Sequence, residues 1–206
     1  MKKYLMTLLF ILIGITAQAV TGSWTLGGLS GFDEMKSGDK IVFTLTNVQI
    51  NKIPSAYAVI AKIGNQTYNG ETIGKVELQV GGAESGNPGG MRLVYTNLNN
   101  QISYPKSSVE VTTGASYDIK IEAIKRTGNT YALMAFSKTG STTWEKWFNE
   151  SFSTTFGLAA PIEILDGGDV PVFTVGGASV VILPEPTVLA LLALGVAGVA
   201  LKRRVV

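Results

Sequence analysis

The chain has neither cysteine nor histidine among its 206 residues. Without cysteine there is no disulfide framework, no thiol nucleophile and no thiolate metal site. Without histidine there is no Ser-His-Asp triad, no imidazole metal ligand and no imidazole proton shuttle near neutral pH. Charge is sparse as well, at 16% of residues, and the formal excess of +2 belongs to the ends. Lys2, Lys3, Lys202, Arg203 and Arg204 lie within five residues of a terminus, while residues 20–183 hold twelve Lys/Arg against fourteen Asp/Glu. A nucleic-acid partner is excluded on this ground, since phosphate binding needs a concentrated basic face. Only carboxylates, Tyr and Lys remain for catalysis, and no motif pairs two of them. The expectation is a protein that is not an enzyme.

What is present at the amino end is a basic pair, Lys2-Lys3, an apolar run over residues 5–15, and small residues at Ala17 and Ala19. These are the three parts of a secretory signal peptide. The run is shorter than the ~20 residues that span a bilayer, and Ala17 and Ala19 fit signal peptidase, which places the cut after Ala19. At the other end Leu183 precedes Pro184-Glu185-Pro186, an uncharged stretch over residues 187–201, and the basic cluster Lys202-Arg203-Arg204. The prolines stop any helix arriving from upstream, because proline lacks an N–H and the residue before it avoids the α region. A fresh helix over residues 187–201 would reach about 22 Å at 1.5 Å per residue. That is short of the ~30 Å hydrocarbon core, with snorkelling Lys and Arg closing part of the gap. The basic cluster keeps the carboxyl end cytoplasmic by the positive-inside rule, and both ends therefore place the middle of the chain outside.

The tripeptide, helix and basic terminus together resemble the PEP-CTERM sorting signal of Gram-negative and related bacteria. Pro184, Glu185 and Pro186 match its recognition tripeptide, residues 187–201 its helix, and Lys202, Arg203 and Arg204 its terminal cluster. Leu183 stands where Val is more common. The resemblance implies recognition by an exosortase-like membrane protease or transpeptidase. It also implies a transient single-pass anchor in the inner membrane and transfer to the cell surface or extracellular matrix. A sortase substrate is not indicated, since Pro186 and Thr187 stand where that signal needs Thr and Gly. The chain thus divides into a signal peptide at 1–19, an extracytoplasmic domain at 20–182, and a sorting signal at 183–206.

Between the signals, apolar residues recur at every second place: Ile41/Phe43/Leu45, Tyr57/Val59/Ala61/Ile63, Val76/Leu78/Val80 and Tyr117/Ile119/Ile121/Ala123. That is the period of half-buried strands. Further strands are expected over residues 91–98, 109–112, 130–137, 161–165, 170–175 and 178–183, with a hairpin joining 117–124 to 130–137. The phase slips near Asn47, which predicts a bulge. Ten or so strands separated by Gly, Asn, Asp and Ser argue for an all-β, antiparallel sandwich of jelly-roll type. The hairpin YDIKIEA and TYALMAF, followed by Trp144, resembles paired strands of concanavalin A-like lectin and glucanase sandwiches. This implies carbohydrate binding as an alternative function. The Glu-x-Asp-x-x-Glu signature of the glucanases is absent.

Four groups of residues are candidates for chemistry. Asp118 and Glu122 share one strand face but lie ~13 Å apart at about 3.3 Å per residue, against the roughly 5 to 10 Å of a glycosidase pair. They read as a solvated face shared with Lys120. Asp166 and Asp169 flank two glycines and offer oxygen ligands to Ca²⁺, a cation that wants six to eight of them, with only Glu163 near in sequence to add to the set; a plain inter-strand turn is the favoured reading. Trp144 and Trp147 are candidates for stacking on sugar rings of a polysaccharide, or for core packing. The glycine-rich stretch 81–90 lacks the Lys-Ser/Thr ending of a phosphate loop and reads as a surface connection.

Overall fold

Alternation becomes antiparallel pairing in the computed structural model, which describes residues 22–84, 88–104, 108–140, 143–165 and 171–185. The expected signal peptide with Ala17 and Ala19, the loop carboxylates Asp166 and Asp169, Pro186, the helix over 187–201 and the cluster Lys202, Arg203 and Arg204 lie outside the described residues. Among the described residues no helix is long and apolar enough to cross a membrane.

The strands are β1 (Gly22–Thr25), β2 (Lys40–Ile50), β3 (Ala58–Tyr68), β4 (Glu71–Gly81), β5 (Gly90–Thr96), β6 (Ile102–Ser103), β7 (Ser108–Glu110), β8 (Ser116–Lys125), β9 (Thr130–Lys138), β10 (Glu145–Thr155), β11 (Pro161–Ile164) and β12 (Phe173–Leu183). They form two sheets. The first has the order β10-β9-β8-β2-β12; the second has the order β1-β11-β3-β4-β5-β6, with β7 also pairing β5. Every pair is antiparallel. The inner faces meet at a small apolar cavity of about 20 Å³, lined by Phe43, Leu45, Ile119 and Ile121 from the first sheet and Ala61, Ile63, Ile162 and Ile164 from the second. This is an all-β sandwich whose core is the inward alternating residues of both sheets, those of β4, β5 and β9 included.

Three departures from simple alternation shape the surfaces. The bulge expected near Asn47 is present: Asn47 takes a φ of +52°, and the β2–β8 register shifts between Leu45 and Val48. Opposite it, β12 runs unbroken through Gly176 where two separate strands are expected from the sequence. A Cβ on Gly176 would stand 2.8 Å from that of Asn47, so glycine lets the strand pass the bulge. A second bulge, between Val59 and Ala61 in β3, turns Ile60 fully into the core. Val59 is consequently paired with the polar Gln79, and Tyr57 is exposed rather than part of the inward row with Ala61 and Ile63. Finally, β10 is a strand that the sequence conceals. Two register shifts against β9 break its period, and its Phe148 meets Tyr95 of β5 edge-on at 6.0 Å, linking the two sheets.

Candidate functional site

The junction between the sandwich and the sorting tripeptide is built from the last pair of the β2–β12 ladder, Lys40 with Leu183. Pro184 follows and cannot donate a backbone hydrogen bond, so Glu185 supplies the first N–H beyond the strand. That N–H donates to Asp39 Oδ1 at 2.9 Å, while Asp39 Oδ2 accepts the Lys36 N–H at 2.7 Å. Asp39 is itself buried and tied to the end of β8, its carbonyl accepting the Lys125 N–H at 2.8 Å. The preceding Gly38 has a φ of +98°, and a Cβ there would lie 2.8 Å from Glu185 Cδ. Pro184 is half-buried and Glu185 exposed. Pro184 and Glu185 therefore leave the sandwich in a defined position.

The outward face of the first sheet carries Trp144. Its ring receives the Lys120 and Lys138 ammonium groups at 5.1 and 5.0 Å, and Lys120 also lies 4.2 Å from the Phe136 ring. Trp147 has a different environment. It is partly buried against the hydrophobic core and meets Phe148 edge-on at 6.3 Å, and among the described residues its indole nitrogen has no hydrogen-bond partner. Asp118 pairs with Lys138 at 3.3 Å and accepts the Asn47 N–H at 2.9 Å. Glu122 is not solvated, as its strand position suggested, but buried, with the Lys40 and Lys120 ammonium groups at 3.0 and 3.1 Å from its carboxylate oxygens. Burial alone would raise its pKa; the hydrogen bonds and charges of the two lysines outweigh that effect and hold the carboxyl below its usual range.

The outward face of the second sheet holds a connected group that sequence reasoning missed. Cross-strand pairing aligns Val59 of β3, Gln79 of β4 and Arg92 of β5. Glu77 Oε1 accepts the Gly74 N–H at 2.7 Å, Gln79 Nε2 donates to Glu77 Oε2 at 2.6 Å, and Arg92 Nε donates to Gln79 Oε1 at 2.9 Å. Glu77 and Gln79 are buried although they face away from the core. The Arg92 guanidinium carbon lies 3.3 Å from the Tyr57 ring centroid and 5.2 Å from that of Tyr104. Those two rings are 36% and 58% exposed. No ion pair to Arg92 occurs among the described residues. The polar residues at alternate places of β4 and β5 were visible in the sequence, but only the strand register brings them to Tyr57 and Tyr104. Among the described residues no group of three or more Asp and Glu side chains is placed to hold a metal ion.

Residues 183–204 match the family described as the PEP-CTERM protein-sorting motif. No curated protein matches the chain in sequence. Among solved structures, the chain is similar to a xylan beta-1,4-xylosidase from Bacillus halodurans, at 11% identity and a TM-score of 0.40, covering 72% of this chain and 27% of the xylosidase. It is similar to the CBM40 of the Ruminococcus gnavus IT-sialidase bound to alpha2,6 sialyllactose, at 14% identity and a TM-score of 0.39, covering 85% of this chain and 95% of that one. A mutant Trypanosoma rangeli sialidase displaying trans-sialidase activity gives 11% identity and a TM-score of 0.37, with 81% of this chain and 24% of the sialidase covered. The chain thus spans about a quarter of the two enzymes.

Proposed function

We propose that this protein is carried across the inner membrane by residues 1–19 and held transiently by residues 187–201 as a single-pass anchor. An exosortase-type membrane protease or transpeptidase then passes it to the cell surface or extracellular matrix. There the sandwich acts without enzymatic chemistry. The observation that carries the reading is the sorting motif at residues 183–204, which implies an exosortase-sorted extracellular protein. Its position supports the reading further: the tripeptide begins directly where β12 ends at Leu183, so the whole sandwich is the cargo. Intact-mass spectrometry on the membrane and extracellular fractions tests it. The extracellular form is expected to lack residues 1–19 and 202–206; an extracellular form with the basic tail still attached overturns the processing step.

A second reading is that the sandwich is a carbohydrate-binding module acting at the surface. It is favoured by the indole of Trp144, which has the Lys120 and Lys138 ammonium groups 5.1 and 5.0 Å from its ring on a sheet face that points away from the core. Asp166 and Asp169 are the proposed ligands of any Ca²⁺ it needs. Retention on polysaccharide that Trp144→Ala abolishes supports this platform. Failure to bind any polysaccharide, with or without Ca²⁺, overturns the reading.

A further inference from the structure

We infer that the outward face of the second sheet binds a carboxylate-bearing glycan of the uronic-acid class, with Arg92 taking the carboxylate and Tyr57 and Tyr104 flanking the sugar ring. This rests on the carbohydrate-binding reading but assigns it to the sheet opposite Trp144.

The argument begins with what Arg92 lacks. A structural arginine on a sheet face is normally closed by a carboxylate, and one is close at hand in Glu77, two residues from Gln79 on the same strand face. The amide of Gln79 stands between them instead, donating to Glu77 at 2.6 Å and accepting from Arg92 Nε at 2.9 Å. Glu77 is meanwhile committed to the Gly74 N–H. The relay orients the guanidinium through its Nε edge without neutralising it. Its two Nη groups are left as the fork, and a planar carboxylate is the group that such a fork takes bidentately.

Position supplies the second part. The Tyr57 ring against the guanidinium fixes its plane, which reduces the ordering cost of binding. Tyr104, the more exposed of the two residues, lies 5.2 Å from the guanidinium carbon, and exposed tyrosines offer flat apolar area with a polar tip, the combination suited to a sugar ring. Glu77 and Gln79 are buried on this outward face and hydrogen-bonded to Gly74 and to each other, so Arg92 stands on a floor of satisfied polar groups rather than open solvent. The site needs charge, a fork and aromatic area together, and Arg92, Gln79, Tyr57 and Tyr104 supply all three.

The test is a titration of the full chain, purified in a neutral detergent, with oligogalacturonate, with its methyl ester, and with a sulfated oligosaccharide. The acid is expected to bind, and the ester is not. Arg92→Lys keeps the charge but loses the fork, and should weaken binding by about tenfold or more. Tyr104→Ala, at an exposed side chain, should weaken it several-fold, about what one stacked ring contributes. Lys52→Ala, an exposed cation elsewhere, should leave it unchanged. Thermal melts confirm that each variant is folded; if Arg92→Lys is not, Tyr104→Ala decides. Equal binding of acid and ester, preference for the sulfated chain, or unaltered binding by a folded Arg92→Lys overturns the assignment to Arg92 while leaving a carbohydrate-binding module intact. No binding of any of the three, nor of a neutral polysaccharide, overturns both.

Discussion

Asp39 Oδ1 accepts the backbone N–H of Glu185 at 2.9 Å, joining the turn before β2 to the middle residue of the sorting tripeptide 146 positions later. Both flanking residues are prolines, so this is the one backbone donor the tripeptide offers. Asp39→Ala removes the acceptor for Glu185 and for Lys36 together. It should cost about 1.5 to 3 kcal/mol of stability, the ordinary range for hydrogen bonds to a charged group. The Glu185 amide should exchange faster in hydrogen-exchange measurements. Unchanged exchange at Glu185 would show that the contact does not hold the tripeptide.

Glu122 makes stability depend on acid. Its folded pKa lies below the ordinary value, so its contribution is present above about pH 4.5 and is lost as pH falls through the folded pKa. Glu122→Gln should therefore be less stable than the parent at pH 7, by an amount on the order of 1 kcal/mol. The two should converge only as pH falls through that lowered pKa and the parent carboxyl takes up its proton. Denaturant titrations run from pH 7 down through the acid range check this, and a gap that stays constant across the range would refute it.

Tyr131 is fully buried, and among the described residues nothing hydrogen-bonds its hydroxyl. Tyr131→Phe keeps the ring against Phe156, at 5.1 Å between centroids, and removes the orphaned polar atom. It is expected to be neutral or stabilising by up to about 1 kcal/mol, since an unsatisfied buried hydroxyl carries a desolvation penalty. Burial also raises the Tyr131 pKa. Parent stability should therefore decline as pH rises above about 10, where the unfolded chain loses this proton first. The phenylalanine variant should decline less. A clear loss of stability in Tyr131→Phe at pH 7 would mean that the hydroxyl has a partner.

Gly81 holds Tyr57 over Arg92. Its φ is +154°, and a Cβ there would stand 2.6 Å from the Ala56 carbonyl oxygen and 2.7 Å from Tyr57 Cα, both backbone atoms that cannot swing aside. Gly81→Ala should cost about 1 to 3 kcal/mol through backbone strain, more if the contact is not relieved. Chemical denaturation measures the loss. Tyrosine fluorescence should report the displacement of Tyr57, and a variant as stable as the parent would refute the close approach.

The sequence by itself determined the strand class of the middle, the inward rows Ile41/Phe43/Leu45 and Tyr117/Ile119/Ile121/Ala123, the hairpin of β8 and β9, the irregularity at Asn47, and the sorting motif that begins at Leu183. Each of these is written within a few neighbouring residues, where alternation of period two or a local tripeptide carries the information. Tertiary structure decided which strands are neighbours and in what register, because pairing such as β2 with β12 joins residues far apart in the chain and depends on long-range burial. It turned Ile60 inward and Tyr57 outward at a bulge, set the buried Glu122 between two lysine ammonium groups, and assembled Arg92, Gln79 and Tyr57 from two strands and the segment before a third. A one-residue shift in any of those pairings would send every side chain of the group to the opposite face, so alternation within one strand cannot specify it.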